Sequence, residues 1–251
     1  MNADLPHRKA YKGFPMEGFV ARRYAKLRRS GSQLEEVRAQ AGQLTVGLPA
    51  GAEILEVAPG PGYLAIELAR LGRFHVTGLD VSRTFVEIER QNARKAEVSA
   101  DFHQGNAARM NFAGGSFDLV ICQAAFKNFA EPDRAIAEMY RVLRPGGVAV
   151  IQDLRRDAPD SAIRSEVAEM RLGRFGAWMT RRILGGLRRR AYTVEEFQGM
   201  AGASAFGDAE VTPSGIGVEV RLTKRAPGTH RADDPPTPRD EAAKALTGAA
   251  R

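Results

Sequence analysis

The chain has a single cysteine, Cys122, among 251 residues. That excludes a disulfide framework and any zinc or iron–sulfur site held by cysteines. Cys122 follows Leu119-Val120-Ile121 and reads as a small buried hydrophobe. Long apolar runs are also missing: none approaches the roughly 20 residues of a membrane span, and the N-terminus shows no signal-peptide core. Histidine is scarce. His7 and His230 fall in polar terminal stretches, whereas His75 and His103 lie within strand-like runs and read as structural, so no obvious general base stands out and no metal site is expected. There is no internal repeat. What is left is a protein of a reducing compartment, expected in the cytoplasm. At 43% hydrophobic residues it can bury one good-sized core, which favours one α/β domain with appendages over two domains.

Charge is unevenly spread. Residues 1–30 carry eight Lys/Arg against Asp4 and Glu17, a net +6, and residues 171–190 carry seven Arg and no acid, a net +7. The whole chain is +7, so the remainder is −6. The basic character belongs to two segments and not to the body of the domain.

The chain is organised around Glu53-Ile54-Leu55-Glu56-Val57-Ala58-Pro59-Gly60-Pro61-Gly62, which runs into Tyr63-Leu64-Ala65-Ile66-Glu67-Leu68-Ala69. A short apolar run ends in a Gly/Pro turn and passes at once into helical periodicity: strand, tight loop, helix. Gly60 and Gly62 let the backbone pass close to a ligand, and the helix start behind them presents free N–H groups. Asp80 closes the next apolar run, about 20 residues on, where an acid suits a ribose diol. Gly60-Pro61-Gly62-Tyr63-Leu64-Ala65 also satisfies the dinucleotide pattern G-x-G-x-x-A, so these residues alone leave a nicotinamide dinucleotide open.

Strands are expected at 53–58, 74–79, 100–104, 117–122 and 147–153, with helices at 62–71, 83–97 and 131–143 between them. This alternation predicts a doubly wound, mostly parallel sheet with helices on both faces. Two further strands at about 207–212 and 216–224, with Thr212-Pro213-Ser214-Gly215 as the turn, form an antiparallel hairpin and bring the sheet to seven strands. The first 14 residues are polar and expected to be loosely held. Residues 1–48 form an N-terminal cap segment, with two helices from Glu17 broken at Ser30-Gly31-Ser32. The main domain spans 49–225 and contains a helical insertion at 158–190. Thr193 and Glu196 make a capping box that starts a further helix. The Pro-rich stretch 226–251 is expected to be disordered.

Four segments go beyond a generic α/β pattern: Glu56-Val57-Ala58-Pro59-Gly60-Pro61-Gly62; Gly78-Leu79-Asp80-Val81-Ser82; Gly105 to Phe112 with Ser116-Phe117-Asp118-Leu119-Val120; and Met139 to Gly147. In this order and spacing they resemble the class I S-adenosylmethionine-dependent methyltransferases, over about residues 50–153. The resemblance implies a Rossmann-like fold and S-adenosyl-L-methionine as cofactor. It implies that the loop Ala58, Pro59, Gly60, Gly62 approaches the methionine part, with Glu56 as the acid at the end of the first strand. Asp80 takes the ribose hydroxyls, Val81 flanks the adenine, Asn106 and the Ala107 amide meet the adenine edge, and Gln123 lies near the sulfonium. Ala58 stands where the first loop glycine is usual, and Asn106 where Asp is usual. Residues Ala125 to Pro132, with Lys127 as the basic residue and Asn128 beside it, are similar to the ubiquinone/menaquinone-biosynthesis C-methyltransferases, although that group's N-terminal signature is not visible.

Methyl transfer from a sulfonium is an in-line displacement, so the protein has chiefly to hold the nucleophile near the methyl and exclude water. Lys127 and Asn128 are the polar candidates beside the methyl. Tyr24 and Tyr11 are candidates to close over the cofactor. Phe126, Met170, Phe175 and Trp178 are candidate acceptor contacts, the last three as the apolar roof of a lid suited to a flat aromatic or lipophilic molecule. The expected partner is a small-molecule acceptor that is aromatic, quinone-like or a secondary metabolite. Nucleic acid ranks below it, because the basic segments lack interleaved stacking aromatics. Peripheral contact with an anionic membrane and a homodimer stay open, as do an RNA or protein methyltransferase and a non-catalytic cofactor-binding subunit.

Overall fold

The computed structural model describes residues 10–12, 16–28 and 31–226, without the side chains of 31 and 32. Its elements follow the expected alternation. Helices α1 (Gly18–Leu27) and α2 (Gly31–Leu44) precede β1 (Ala52–Val57), α3 (Tyr63–Arg70), β2 (Phe74–Asp80), α4 (Arg83–Lys95), β3 (Asp101–Gln104) and β4 (Phe117–Gln123). A 3-10 turn at Phe126–Asn128 leads to α5 (Pro132–Val142), β5 (Leu143–Leu154), α6 (Asp160–Glu169), α7 (Arg174–Arg188), α8 (Val194–Ala203), β6 (Glu210–Ser214) and β7 (Gly217–Thr223). The expected tail from 226 lies, but for Ala226, outside the described residues.

One seven-stranded sheet has the order β3-β2-β1-β4-β5-β7-β6. β1 to β5 run parallel, and β7 lies antiparallel to both β5 and β6. Alternation along each strand sorts side chains to two faces. Ile54, Ile121 and Val150 meet Leu64 and Leu68 of α3 on one face, together with Ala41 of α2. Leu55, Val120, Cys122 and Ile151 meet Ile136 and Met139 of α5 and Phe197 of α8 on the other. Each fully buried aliphatic or aromatic side chain contributes roughly 1.5–3 kcal/mol. The strand order reverses between β1 and β4, and a crevice at such a reversal, outside the carboxyl ends of the strands, is where doubly wound sheets hold ligands.

Two sequence expectations shift. Thr212 and Pro213 belong to β6 and not to the hairpin turn, because Pro213 pairs with Val218 on the outermost strand, where a missing N–H costs no ladder bond. Residues 10–12 are pinned and not loose: Tyr11 forms a bridge with Phe129, the Lys12 N–H donates to the Asn128 carbonyl at 2.7 Å, and the Ala130 N–H donates to the Ala10 carbonyl at 3.2 Å. The capping box at α8 is present in full, with Thr193 and Glu196 each accepting from the other's backbone.

Candidate active site

The loop after β1 turns through left-handed backbone at Ala58 (φ +57°), Gly60 (φ +59°) and Gly62 (φ +77°), the last being the N-cap of α3. Its first amide is tied across to β2, with Ala58 N–H donating to the Leu79 carbonyl at 2.7 Å. Asp80 is buried at the end of β2 and accepts from Gly60 N–H at 3.2 Å and Ser82 N–H at 2.8 Å. One carboxyl therefore joins the loop to the start of α4. Burial pushes the Asp80 carboxyl up to about 7 despite these bonds, which favour its ionised form.

Two more acids lie beneath this loop. Burial raises Glu56, on β1, to about 8, against a bond from the Ala65 amide that lowers it, and Asp80 adds a further push upward. Glu89 of α4 is 0% exposed. A Cβ at Gly62 would lie 3.0 Å from the Glu89 Cγ, so only glycine lets the start of α3 rest on this side chain. Burial, then Asp80 and Glu56, hold Glu89 well above the ordinary carboxyl range. Both oxygens of Glu89 and one of Glu56 have no hydrogen-bond partner among the described residues. Sequence reasoning missed Glu89. The signal was available: it falls three residues after Val86 and four before Ala93, a charge on the apolar stripe of α4.

The N-terminal residues close over this edge. The Ser82 hydroxyl donates to the Met16 carbonyl at 2.7 Å, and the Glu17 carboxylate accepts from Arg83 N–H and Thr84 N–H at 2.9 and 3.1 Å, capping α4. Helix α1 then sets the Tyr24 ring 4.0 Å from the Cβ that Gly60 lacks and edge-on to Phe85. Tyr11 is raised to about 12 by burial first, and by Asp80, Tyr24, Cys122 and Asp153 around it. It is held as a neutral phenol among the groups of the crevice. Burial likewise holds the Cys122 thiol well above its ordinary value.

The other expected residues fall into three groups. Val81, Asn106 and Ala107 lie on the neighbouring loops of the same edge, where the Asn106 Oδ1 accepts from Ala108 N–H at 2.9 Å and braces its own turn. Gln123 directs its side chain toward the α2 face, where its amide donates to the Gln152 Oε1 at 2.7 Å, an oxygen that Gln40 of α2 also reaches. Lys127 and Phe126 are buried instead of facing an acceptor. The Lys127 ammonium is 2.7 Å from Asp153 Oδ1 and also donates to the Ala124 carbonyl, and the Lys127 N–H donates to Asp153 Oδ2 at 2.8 Å. Phe126 packs against Phe129, Tyr192 and Phe197, with ring centroids 5.4–5.7 Å apart. Asn128, half-buried, contributes its carbonyl to Lys12. Met170, Phe175 and Trp178 are exposed and form no roof over the crevice; α7 buries no residue and packs mainly on α6. A large concavity of about 860 Å³, lined by Glu53, His75, Thr77, Val98 and Asp101 among others, lies at the amino ends of β1–β3, the edge opposite these groups.

Sheet order, glycine loop and antiparallel last strand define the Rossmann-like methyltransferase fold. A solved SAM-dependent methyltransferase from Aquifex aeolicus shares it, with a TM-score of 0.60 over 80% of this chain and 97% of that one at 16% identity. Residues 55–151 match the family model described as a methyltransferase domain. That stretch is a methyltransferase domain, and its motifs resemble those of the S-adenosylmethionine-dependent kind. Among curated proteins the chain is similar to a demethylmenaquinone methyltransferase of Deinococcus radiodurans, 39% identical over 99 residues, which is 39% of this chain and 41% of the relative. It is also similar to a ubiquinone/menaquinone biosynthesis C-methyltransferase of Bdellovibrio bacteriovorus, 32% identical over 106 residues, 42% of this chain and 45% of the relative. The similarity thus spans less than half the length of these curated relatives.

Proposed function

We propose that the protein transfers a methyl group from S-adenosylmethionine to a flat, quinone-like small molecule. The observation that carries this reading is the acid cluster. Glu56, Asp80 and Glu89 are buried around the start of α3 with three oxygens unpartnered and no ion pair among the described residues. A dinucleotide places its pyrophosphate at that helix start, and its negative charge would meet three acids there. A cofactor bearing an ammonium and a sulfonium instead relieves their mutual repulsion. The residues present fit it. When bound, the cofactor supplies the electrophilic methyl.

The chain's own residues hold and shield. Asp80, already bonded to the loop, would take the ribose hydroxyls, and Tyr24 covers the loop at Gly60. Tyr11 keeps its proton and can donate to an acceptor oxygen without competing as a nucleophile. The quinone-like acceptor is supported by the kinship with quinone-biosynthesis enzymes.

The test is calorimetric titration with S-adenosylmethionine, S-adenosylhomocysteine and NAD in parallel, followed by assays for S-adenosylhomocysteine with a demethylated naphthoquinol. Micromolar binding of the first two, none of NAD, and turnover with the quinol are expected. Asp80→Ala should weaken cofactor binding at least about tenfold, on the order of 1.4 kcal/mol. Binding of NAD alone would overturn the reading, and turnover confined to RNA or protein would move the acceptor to that class.

A further inference from the structure

We infer that α7 is a membrane-docking helix whose outer face enters the headgroup layer of an anionic bilayer. The helix has three faces. Ala177, Thr180, Leu184 and Leu187 are half-buried on the side that packs the hairpin with α6. Phe175, Trp178, Met179 and Ile183 follow the spacing i, i+3, i+4, i+8 and are exposed, Phe175 at 72% and Trp178 at 52%. Arg174 and Arg181 flank this stripe, and Arg182 lies within it with its guanidinium 5.3 Å from the centre of the Trp178 ring. None of these three arginines makes an ion pair among the described residues, whereas Arg188, at the end of the helix, is held by Asp160 at 2.8 Å. Apolar groups on one side, unpaired arginines beside them and no acid from 171 to 190 are what an interfacial helix requires.

The same chemistry recurs on α1. There Phe19, Val20 and Leu27 are exposed, beside Arg23 and Lys26, while Arg22 pairs with Glu87 at 3.8 Å. Helix α1 covers the carboxyl ends of β1 and β2, and the α6–α7 hairpin leaves the carboxyl end of β5. Both helices therefore belong to one edge of the sheet, the edge that carries the crevice.

Other occupants fit less well. A second copy of this chain would set a face with no acid against an identical one, so like charges would meet. Single-stranded nucleic acid would use the arginines and the Phe175–Trp178 ring pair but would leave Met179 and Ile183 exposed. An anionic bilayer uses both, its phosphates the arginines and its acyl chains the apolar groups. The proposal rests on these surfaces alone and stands whether or not the acceptor is quinone-like.

The chain contains one tryptophan, so Trp178 reports on this face directly. The full-length protein is mixed with vesicles of phosphatidylcholine, with or without phosphatidylglycerol, and tryptophan emission and co-sedimentation are read together. A blue shift and quenching by brominated acyl chains are expected with phosphatidylglycerol present, and little binding without it. Arg181→Glu with Arg182→Glu should weaken binding at least about tenfold, and raised salt should do the same. Phe175→Ser should reduce the blue shift while circular dichroism stays unchanged. Unshifted emission on vesicles that do carry the protein down would place the contact elsewhere and overturn the proposal. Binding to single-stranded RNA with no response to either vesicle would overturn it in favour of nucleic acid.

Discussion

The crevice and α7 leave acids and bases, respectively, without a countercharge in opposite settings. Around the start of α3, three carboxyls are buried without a cation; on α7, arginines stand in solvent without an anion. In both proposals the missing partner comes from outside the chain, and burial decides how strongly it is held. Charges removed from water interact strongly and are screened little by salt, whereas exposed charges interact weakly and salt screens them. The crevice is therefore suited to a tight cationic cofactor, and the helix to a reversible, salt-sensitive contact.

The largest effect should come from disturbing a buried charge. Lys127→Met removes the ammonium paired with Asp153 and leaves that buried carboxylate with only the backbone N–H groups of residue 127 and Leu154, without a countercharge, which costs about 3–5 kcal/mol. Urea unfolding measures this. A loss below about 1 kcal/mol would mean that Asp153 is hydrated and that the contrast between crevice and helix is smaller than drawn here.

The next effect is a pH dependence. The folded protein holds protons on Asp80 up to about 7 and on Glu56 up to about 8, while the unfolded chain releases them near 3.8 and 4.5. A raised carboxyl pKa contributes stability that is full below the unfolded value and lost as pH rises through the folded one. Glu17, Glu138 and Glu196, whose values are lowered, act with the opposite sign, and their contribution is lost as pH falls through the acid range below about 4.5. Without cofactor, stability should thus fall steadily between pH 5 and 8. Glu89→Gln should flatten that slope by removing one member of the cluster, and saturating S-adenosylmethionine should flatten it by supplying positive charge. Thermal melts across this range check the prediction; a level profile for the unliganded protein would falsify it.

How much of this was legible in the sequence follows from the range of the interactions. β1, its glycine turn and Asp80 are local patterns, so strand, loop and acid could be read residue by residue. Glu89 shows in the sequence only as a charge on the apolar stripe of α4; its role at the loop depends on Gly62 lying against it, 27 residues away in the chain. Lys127 was misread for the same reason: its partner Asp153 arrives on the next strand. The pinning of residues 10–12 requires Asn128 and Phe129 to be in place first. Pro213 looked like a turn because a proline in a strand is tolerated only at an edge, and strand order is not written in local periodicity.

A smaller effect concerns the loop itself. Ala58 holds a left-handed conformation that costs an alanine roughly 1–2 kcal/mol relative to glycine, while glycine loses more freedom on folding, by roughly 0.5–1 kcal/mol. Ala58→Gly should therefore gain about 0.5–1 kcal/mol. Ala124 holds the same conformation (φ +53°) at the end of the adjacent strand β4 and should behave alike. If either substitution destabilises the fold, the methyl group contributes a packing contact that outweighs the strain.

The smallest effect should be on α7, and its smallness is informative. Phe175→Ser and Arg181→Glu alter groups that touch little of the protein, so unfolding free energy should move by less than about 0.5 kcal/mol. Cofactor affinity should not change, since neither group lies beside the loop at Gly60. If stability falls substantially, α7 packs on the domain in solution more closely than on α6 alone, and its apolar face serves the fold. If stability holds while vesicle binding is lost, that face has been kept apolar at no benefit to the fold, and its use lies outside the chain.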